Sequence, residues 1–224
     1  MSTELPPSRK DSEVIQILAT EHWSLLATRA LTYQESLGRV NMFLGVLSGA
    51  VIALALIAQA DHFGPTFITV AIFMLAVVFF VGVATVGRLL MLNRDDYRWV
   101  LAMNRLRHAY LEMHPELEPN FSTSPYDDVH GALQTLGIEP GVRLGSLFHG
   151  FVTLPGMLAV IVAAVGGAIG GLAAAGFGAP PAGVLLAGAA VFGLAEAWMA
   201  VWNRRGVRRP DPTMRSRFPK PPTS

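Results

Sequence analysis

Cysteine is absent from this chain of 224 residues, and charged residues are scarce. The absence of cysteine excludes disulfides, thiolate-ligated zinc, iron–sulfur clusters and thiol catalysis. Charged side chains make up 15% of the chain, against about 25% in an ordinary soluble domain, whereas 52% of the residues are hydrophobic. This composition argues against a soluble globular enzyme, a disordered protein and a nucleic-acid-binding protein. The net charge of +1 points to no acidic partner.

Three long stretches lack Asp, Glu, Lys and Arg, namely 42–60, 62–87 and 144–195. A membrane-spanning helix needs about 20 apolar residues, so the first two stretches fit one span each and the third fits two. Pro180 and Pro181, flanked by glycines, divide the third stretch. The sequence therefore predicts an all-α polytopic membrane protein whose four transmembrane helices lie near 42–60, 65–88, 148–175 and 182–202.

The basic residues are distributed unevenly: none of the 17 lies in the two short loops that join spans 1 and 2 and spans 3 and 4. The positive-inside rule then places both termini and the middle loop in the cytoplasm. The dominance of arginine over lysine and the richness in alanine favour a bacterial plasma membrane. We expect the residues after the last span to meet lipid headgroups through Arg204, Arg205, Arg208 and Arg209. The rest of 204–224 is basic and rich in proline, which predicts a disordered tail.

The first two spans are expected to continue into the cytoplasm, because no proline interrupts 11–40 or 88–114. Each helix would be roughly 75 Å long, and residues 1–114 would form a long hairpin with a cytoplasmic, coiled-coil-like stalk. Apolar residues recur there every three or four positions. This stalk seam consists of Trp23, Leu26, Tyr33 and Leu37 on the first helix and Trp99, Met103, Leu106 and Tyr110 on the second. Packing within one chain is the favoured interpretation, and a subunit interface is the alternative.

His114-Pro115 is expected to end the second long helix. Residues 115–147 then form a cytoplasmic loop with one short helix near 127–136, and 148–203 form the second transmembrane hairpin. Small residues recur at four-residue steps in the spans, a pattern that lets helices approach closely in lipid. The predicted helix-packing glycines are Gly45, Gly49, Gly166, Gly167, Gly170, Gly171 and Gly193.

Glu196 is the one acidic residue inside a predicted span. An intramembrane carboxylate is costly and suggests a functional site. Arg88 and His149 are expected to lie at a similar depth. In one interpretation the three residues line an ion or proton pathway. In the other, which is favoured, Glu196 forms a structural pair with Arg88, is protonated, or snorkels to the interface.

The segments 21–29 (EHWSLLATR) and 103–117 (MNRLRHAYLEMHPEL) resemble those of a group of uncharacterised bacterial four-span membrane proteins, a resemblance that implies no activity. In architecture alone, the first half is similar to the SLATT class of two-span effector modules. That similarity implies pore formation, although spans 3 and 4 depart from the class.

No P-loop, HExxH, GxSxG or dinucleotide-binding motif is present, so we expect no enzyme activity, no cofactor and no metal site. Asp95-Asp96 and Asp127-Asp128 are paired carboxylates for which cation binding is the alternative, and they are interpreted as solvated acidic pairs. The sequence favours a homo-oligomeric membrane protein that forms a pore or channel. The alternatives are a scaffold or signalling protein that docks a cytoplasmic partner through the stalk and, with less support, a small-substrate transporter.

Overall fold

The computed structural model describes residues 9–138, 153–207 and 212–221. Within these ranges the chain is all-helical and contains no strand. The helices are α1 (Arg9–Asp61), α2 (Pro65–Met113), α3 (Val129–Thr135), α4 (Leu154–Gly176) and α5 (Pro181–Val207). Two 3₁₀ helices, Pro115–Asn120 and Pro212–Met214, complete the secondary structure. The four long helices are each long and apolar enough to cross a membrane.

The chain divides into two compact units, and α1 and α2 each contribute residues to both. We call the first the apolar unit; it comprises residues 35–92 and 143–209. The second, here the polar unit, comprises residues 1–34, 93–142 and 210–224.

The core of the apolar unit lies where α1, α2 and α4 meet. Phe43 of α1, Leu89 of α2 and Val162 of α4 are almost completely buried there. Gly82 makes this meeting possible, since a Cβ atom at that position would lie 2.5 Å from Val162 and 2.9 Å from the Phe43 ring. The helices can approach this closely only because position 82 carries no side chain.

The loop between α1 and α2 is closed by Asp61. Its backbone carbonyl accepts a hydrogen bond from Gly64 N over 2.8 Å, and its carboxylate accepts one from Phe67 N over 2.7 Å. The carboxylate thus satisfies a backbone donor of the first turn of α2, as a helix cap does. Between α4 and α5, Gly178 adopts a positive φ of 78°, which ends α4 before Pro181 begins α5.

The polar unit has a smaller core, made by Val100 and Leu101 of α2 and Ala132 of α3. Met214, from the C-terminal part of the chain, packs against this core. The expectation of a disordered tail over 204–224 is therefore wrong for part of it: α5 continues to Val207, and residues 212–221 are folded onto the polar unit. The physical reason is a set of hydrogen bonds to Asp127, described below.

Candidate functional site

The predicted cluster of Glu196, Arg88 and His149 does not assemble as a Glu196–Arg88 pair. Arg88 donates hydrogen bonds from Nε and Nη2 to the two carboxylate oxygens of Glu35, over 3.0 and 3.1 Å. Arg39 donates a further bond to the same carboxylate over 2.8 Å. The structural pair expected from the sequence is thus corrected to Glu35–Arg88. His149 lies outside the described residues.

The sequence gives no sign that Glu35 is the partner of Arg88, because Glu35 lies outside the charge-free runs. It belongs to the apolar unit together with its two arginines. The hydrogen bonds from Arg88, and then those from Arg39, lower the pKa of the Glu35 carboxyl below its usual value. Both ends of the Glu35–Arg88 pair keep part of their surface in contact with solvent.

Glu196 lies near the middle of α5 and is only partly buried. Its Oε1 atom is nevertheless sealed from solvent and accepts no hydrogen bond from the part of the chain that is described. One turn further along, Met199 is buried in the core of the apolar unit, while the neighbouring Trp198 is half exposed. The carboxylate therefore sits at the border between the core and the outer face of α5.

The seven predicted packing glycines fall into two groups. In α4, a Cβ atom on Gly167 would lie 2.9 Å from the carbonyl oxygen of Gly188, and one on Gly170 would lie 2.5 Å from Val191. These glycines, with Gly166 against Phe79 and Gly171 against Val184, pack within the chain. Added Cβ atoms would meet nothing within 4 Å at Gly45, Gly49 and Gly193.

The α1 half of the predicted stalk seam does not face into the chain. Trp23 and Tyr33 are 72% and 65% exposed, and Leu26 and Leu37 are exposed as well. The buried stripe of α1 runs one residue earlier, through His22, Leu25, Arg29, Thr32 and Ser36. On α2, Met103 is buried, and Trp99, Leu106 and Tyr110 are half-buried.

Polar contacts explain the shifted stripe. Arg29 Nε donates a hydrogen bond to Asp96 Oδ1 over 2.6 Å, and its Nη2 reaches Oδ2 over 3.3 Å. The His22 ring stacks on Tyr110, with centroids 6.1 Å apart. These interactions select a polar stripe of α1 over the adjacent aromatic one.

The most extensive polar cluster centres on Asp127, which the sequence presents as half of a solvated acidic pair. Asp127 is 1% exposed. Its carboxylate accepts hydrogen bonds from the Arg105 guanidinium, the Ser216 hydroxyl and the backbone N–H groups of Arg217 and Phe218. Burial raises the carboxyl's pKa, but these hydrogen bonds outweigh burial and lower the pKa of Asp127 to about 2.

Further contacts hold the same C-terminal segment. Asp128 caps α3 by accepting a hydrogen bond from Gly131 N over 2.6 Å, and it also accepts one from Lys220 N over 2.9 Å. The Phe218 ring stacks on His108 with centroids 4.2 Å apart. The interpretation of Asp127-Asp128 as a solvated pair is therefore wrong: the two aspartates anchor residues 212–221.

Arg204 and Arg205 lie in the last turn of α5 and are exposed, whereas Arg208 and Arg209 lie outside the described residues. Within the described ranges of the chain, no group of three or more His, Asp or Glu side chains is placed to hold a metal ion. No family model, curated protein or solved structure matches this chain.

Proposed function

We propose that this chain is a multi-pass membrane protein of a bacterial inner membrane, with both termini in the cytoplasm. Its apolar surface supports this proposal, since only 11% of the most apolar stretch of α1 and 6% of that of α5 is buried. Bulky apolar side chains are also exposed on α2 and α5, such as Phe80 on the former and Leu185 and Leu186 on the latter. A soluble protein does not present apolar surface on this scale, whereas a bilayer covers it.

In this proposal the polar parts of α1 and α2 form a cytoplasmic stalk, and the chain assembles into homo-oligomers. The unused surface at Gly45, Gly49 and Gly193 supports assembly, because small residues let a second helix approach closely in lipid. The exposed aromatic stripe through Trp23 and Tyr33 offers a further contact between copies.

The oligomer is proposed to conduct cations, and Glu196 carries this proposal. A carboxylate oxygen that is sealed from solvent without a hydrogen bond is costly, so it binds a proton, a cation or a group from another copy. Repeated around an oligomer axis, Glu196 forms a ring of carboxylates, and such rings select cations in channels. The resemblance of the first half to pore-forming two-span modules agrees with this function.

Flux through reconstituted protein tests this function. Purified protein is placed in liposomes, and the efflux of potassium and of protons is compared between the wild type, Glu196→Gln and the matched control Glu118→Gln. Glu118 is exposed in the polar unit, so the control removes one carboxylate without touching α5. We expect Glu196→Gln to lower cation flux and Glu118→Gln to leave it unchanged. The absence of flux in the wild type at any voltage or pH would contradict conduction.

A partner-docking scaffold is the second proposal, and the exposed face of α1 in the polar unit favours it. Trp23, Leu26 and Tyr33 form an aromatic and aliphatic stripe of the kind that anchors protein interfaces. Cross-linking from position 23 in native membranes separates the two proposals. Cross-links between identical chains support the oligomer, and cross-links to one defined different protein support the scaffold.

A further inference from the structure

Arg107 is a buried cation of the polar unit for which the described residues supply no carboxylate. Only 7% of its surface is exposed. Its one hydrogen bond runs from Nη1 to the side-chain oxygen of Asn104, a neutral acceptor, over 2.7 Å. Burial, and then the charge of another cation, Arg29, lower the pKa of Arg107. Buried charges in proteins are normally paired, whereas no carboxylate within the described ranges forms an ion pair with this guanidinium.

A buried network fixes the position of the guanidinium. Asn104 is fully buried, and its Nδ2 donates a hydrogen bond to the backbone carbonyl of Tyr126 over 2.7 Å. Its Oδ1 accepts hydrogen bonds from both Arg107 and the Thr135 hydroxyl. The amide is thus locked by α3 and by the segment before it. Arg107 is held in place by this amide and has N–H donors left over. Its guanidinium is therefore preorganised to receive an acceptor.

The unused donors of Arg107 keep a route to solvent. In the described part of the chain, the only side-chain polar atoms that are both sealed from solvent and without a hydrogen bond are Trp99 Nε1 and Glu196 Oε1. The remaining guanidinium nitrogens of Arg107 are not among them. These donors therefore keep some contact with solvent, although the side chain as a whole is buried.

Two basic side chains of α1, His22 and Arg29, interact electrostatically with Arg107. His22 of α1 contacts Tyr110 of α2, and Arg29 of α1 contacts Asp96 of α2. Arg107 lies between Asp96 and Tyr110 along α2. Asp96 is already engaged by two nitrogens of Arg29 and forms no pair with Arg107. Burial, and then the charge of Arg107, lower the pKa of His22.

We propose that Arg107 and Arg29, with His22 beside them, bind a small oxyanion of the phosphate or carboxylate type in the polar unit. Guanidinium groups match the geometry of both anions and can donate two hydrogen bonds to either. Bound there, the anion neutralises Arg107 and bridges α1 to α2.

Thermal unfolding of the full chain in detergent tests the site, with inorganic phosphate and acetate as probes and chloride at matched ionic strength as the reference. We expect one of the two oxyanions to raise the unfolding temperature in a saturable manner, because a ligand that binds only the folded state stabilises it. Arg107→Gln should weaken the apparent affinity at least about tenfold, as expected for the loss of a charge-assisted hydrogen bond. The control Arg98→Gln, which removes an arginine paired with Asp95, should behave as the wild type.

A second variant separates anion binding from a structural role of the arginine. Arg107→Met removes the unpaired charge but keeps the length of the side chain. In buffer without oxyanions its unfolding temperature should equal or exceed that of the wild type, and neither anion should raise it further. A lower unfolding temperature for Arg107→Met in that buffer would overturn the proposal. So would a wild type that responds to phosphate and acetate no more than to chloride.

Discussion

Arg88 binds both carboxylate oxygens of Glu35, and this bidentate pair leaves Glu196 without the arginine that the sequence suggests for it. The two acidic residues differ in what surrounds them. Glu35 receives three hydrogen bonds from Arg88 and Arg39, whereas Glu196 Oε1 receives none from the described residues. The first carboxylate is held by two arginines, and the second is the one on which the proposal of cation conduction rests.

This separation predicts independent effects of Arg88→Gln and Glu196→Gln on stability. Residues without a shared partner usually show additive changes, so the double variant should match the sum of the single variants within about 0.5 kcal/mol. For Glu35→Gln and Arg88→Gln, by contrast, the loss of stability in the double variant should be smaller than the sum of the single losses, because either change breaks the same hydrogen bonds. Unfolding in detergent measures both cycles. Strong coupling between positions 88 and 196 would show that they do interact.

Loss of the Asp127 carboxylate should release residues 212–221. In Asp127→Asn the new amide places N–H donors against the N–H groups of Arg217 and Phe218 or against Arg105, so at least one hydrogen bond becomes a repulsion. Trypsin should then cut after Arg215 and Arg217 several times faster than in the wild type. Asp95→Asn is the matched control, since Asp95 pairs with Arg98 on the same helix and both side chains are partly exposed. Equal cleavage of both variants would argue against an anchoring role for Asp127.

The same anchor should weaken in acid. The pKa of Asp127 is about 2 in the folded protein, below its usual value of 3.8, so the ionised carboxylate favours the anchored state. Its contribution is fully present above about pH 4 and is lost as the pH falls towards 2, by about 2 kcal/mol in total. Tryptic cleavage cannot follow this range, but hydrogen exchange at the Arg217 and Phe218 amides can. Their protection should fall over that pH range in the wild type and be low throughout in Asp127→Asn.

The two groups of glycines should respond in opposite ways to larger side chains. Gly167→Leu inserts atoms where the Gly188 carbonyl already lies, and overpacking of this kind costs about 1–3 kcal/mol of stability. Gly45→Leu and Gly49→Leu meet open space and should leave the unfolding of the protomer unchanged. If this face joins two copies, they should lower the apparent mass of the detergent-solubilised particle. An unchanged mass would move the subunit contact elsewhere.

The long helices could be predicted from the sequence because their signals are local. Charge-free runs and the absence of internal proline indicated α1 and α2, and Pro180-Pro181 marked the break between α4 and α5. The stripe that α1 buries could not be predicted this way. Local hydrophobicity favours Trp23 and Tyr33, whereas the inward residue Arg29 is selected by Asp96, 67 positions away.

The fold of the C-terminal segment escaped prediction for a similar reason. Basic, proline-rich composition predicts disorder when each residue is considered alone. The bonds that order it join Asp127 to residues about ninety positions later, with Ser216 89 positions away and Phe218 91. An isolated Asp-Asp pair gives no sign of such partners. Long-range hydrogen bonds of buried carboxylates are therefore the main part of this structure that its sequence does not reveal.

Single cysteines should report the proposed membrane topology without background, because the chain contains none. Thr66→Cys places a thiol in the exposed first turn of α2, and Phe177→Cys places one directly after α4, where Phe177 is 93% exposed. Ser12→Cys and Glu118→Cys place them at exposed positions of the polar unit. In intact spheroplasts, a membrane-impermeant maleimide should label positions 66 and 177 only, since the basic residues hold the other two in the cytoplasm. After lysis all four should react, which controls for buried thiols. Labelling of position 12 or 118 before lysis would reverse the proposed orientation.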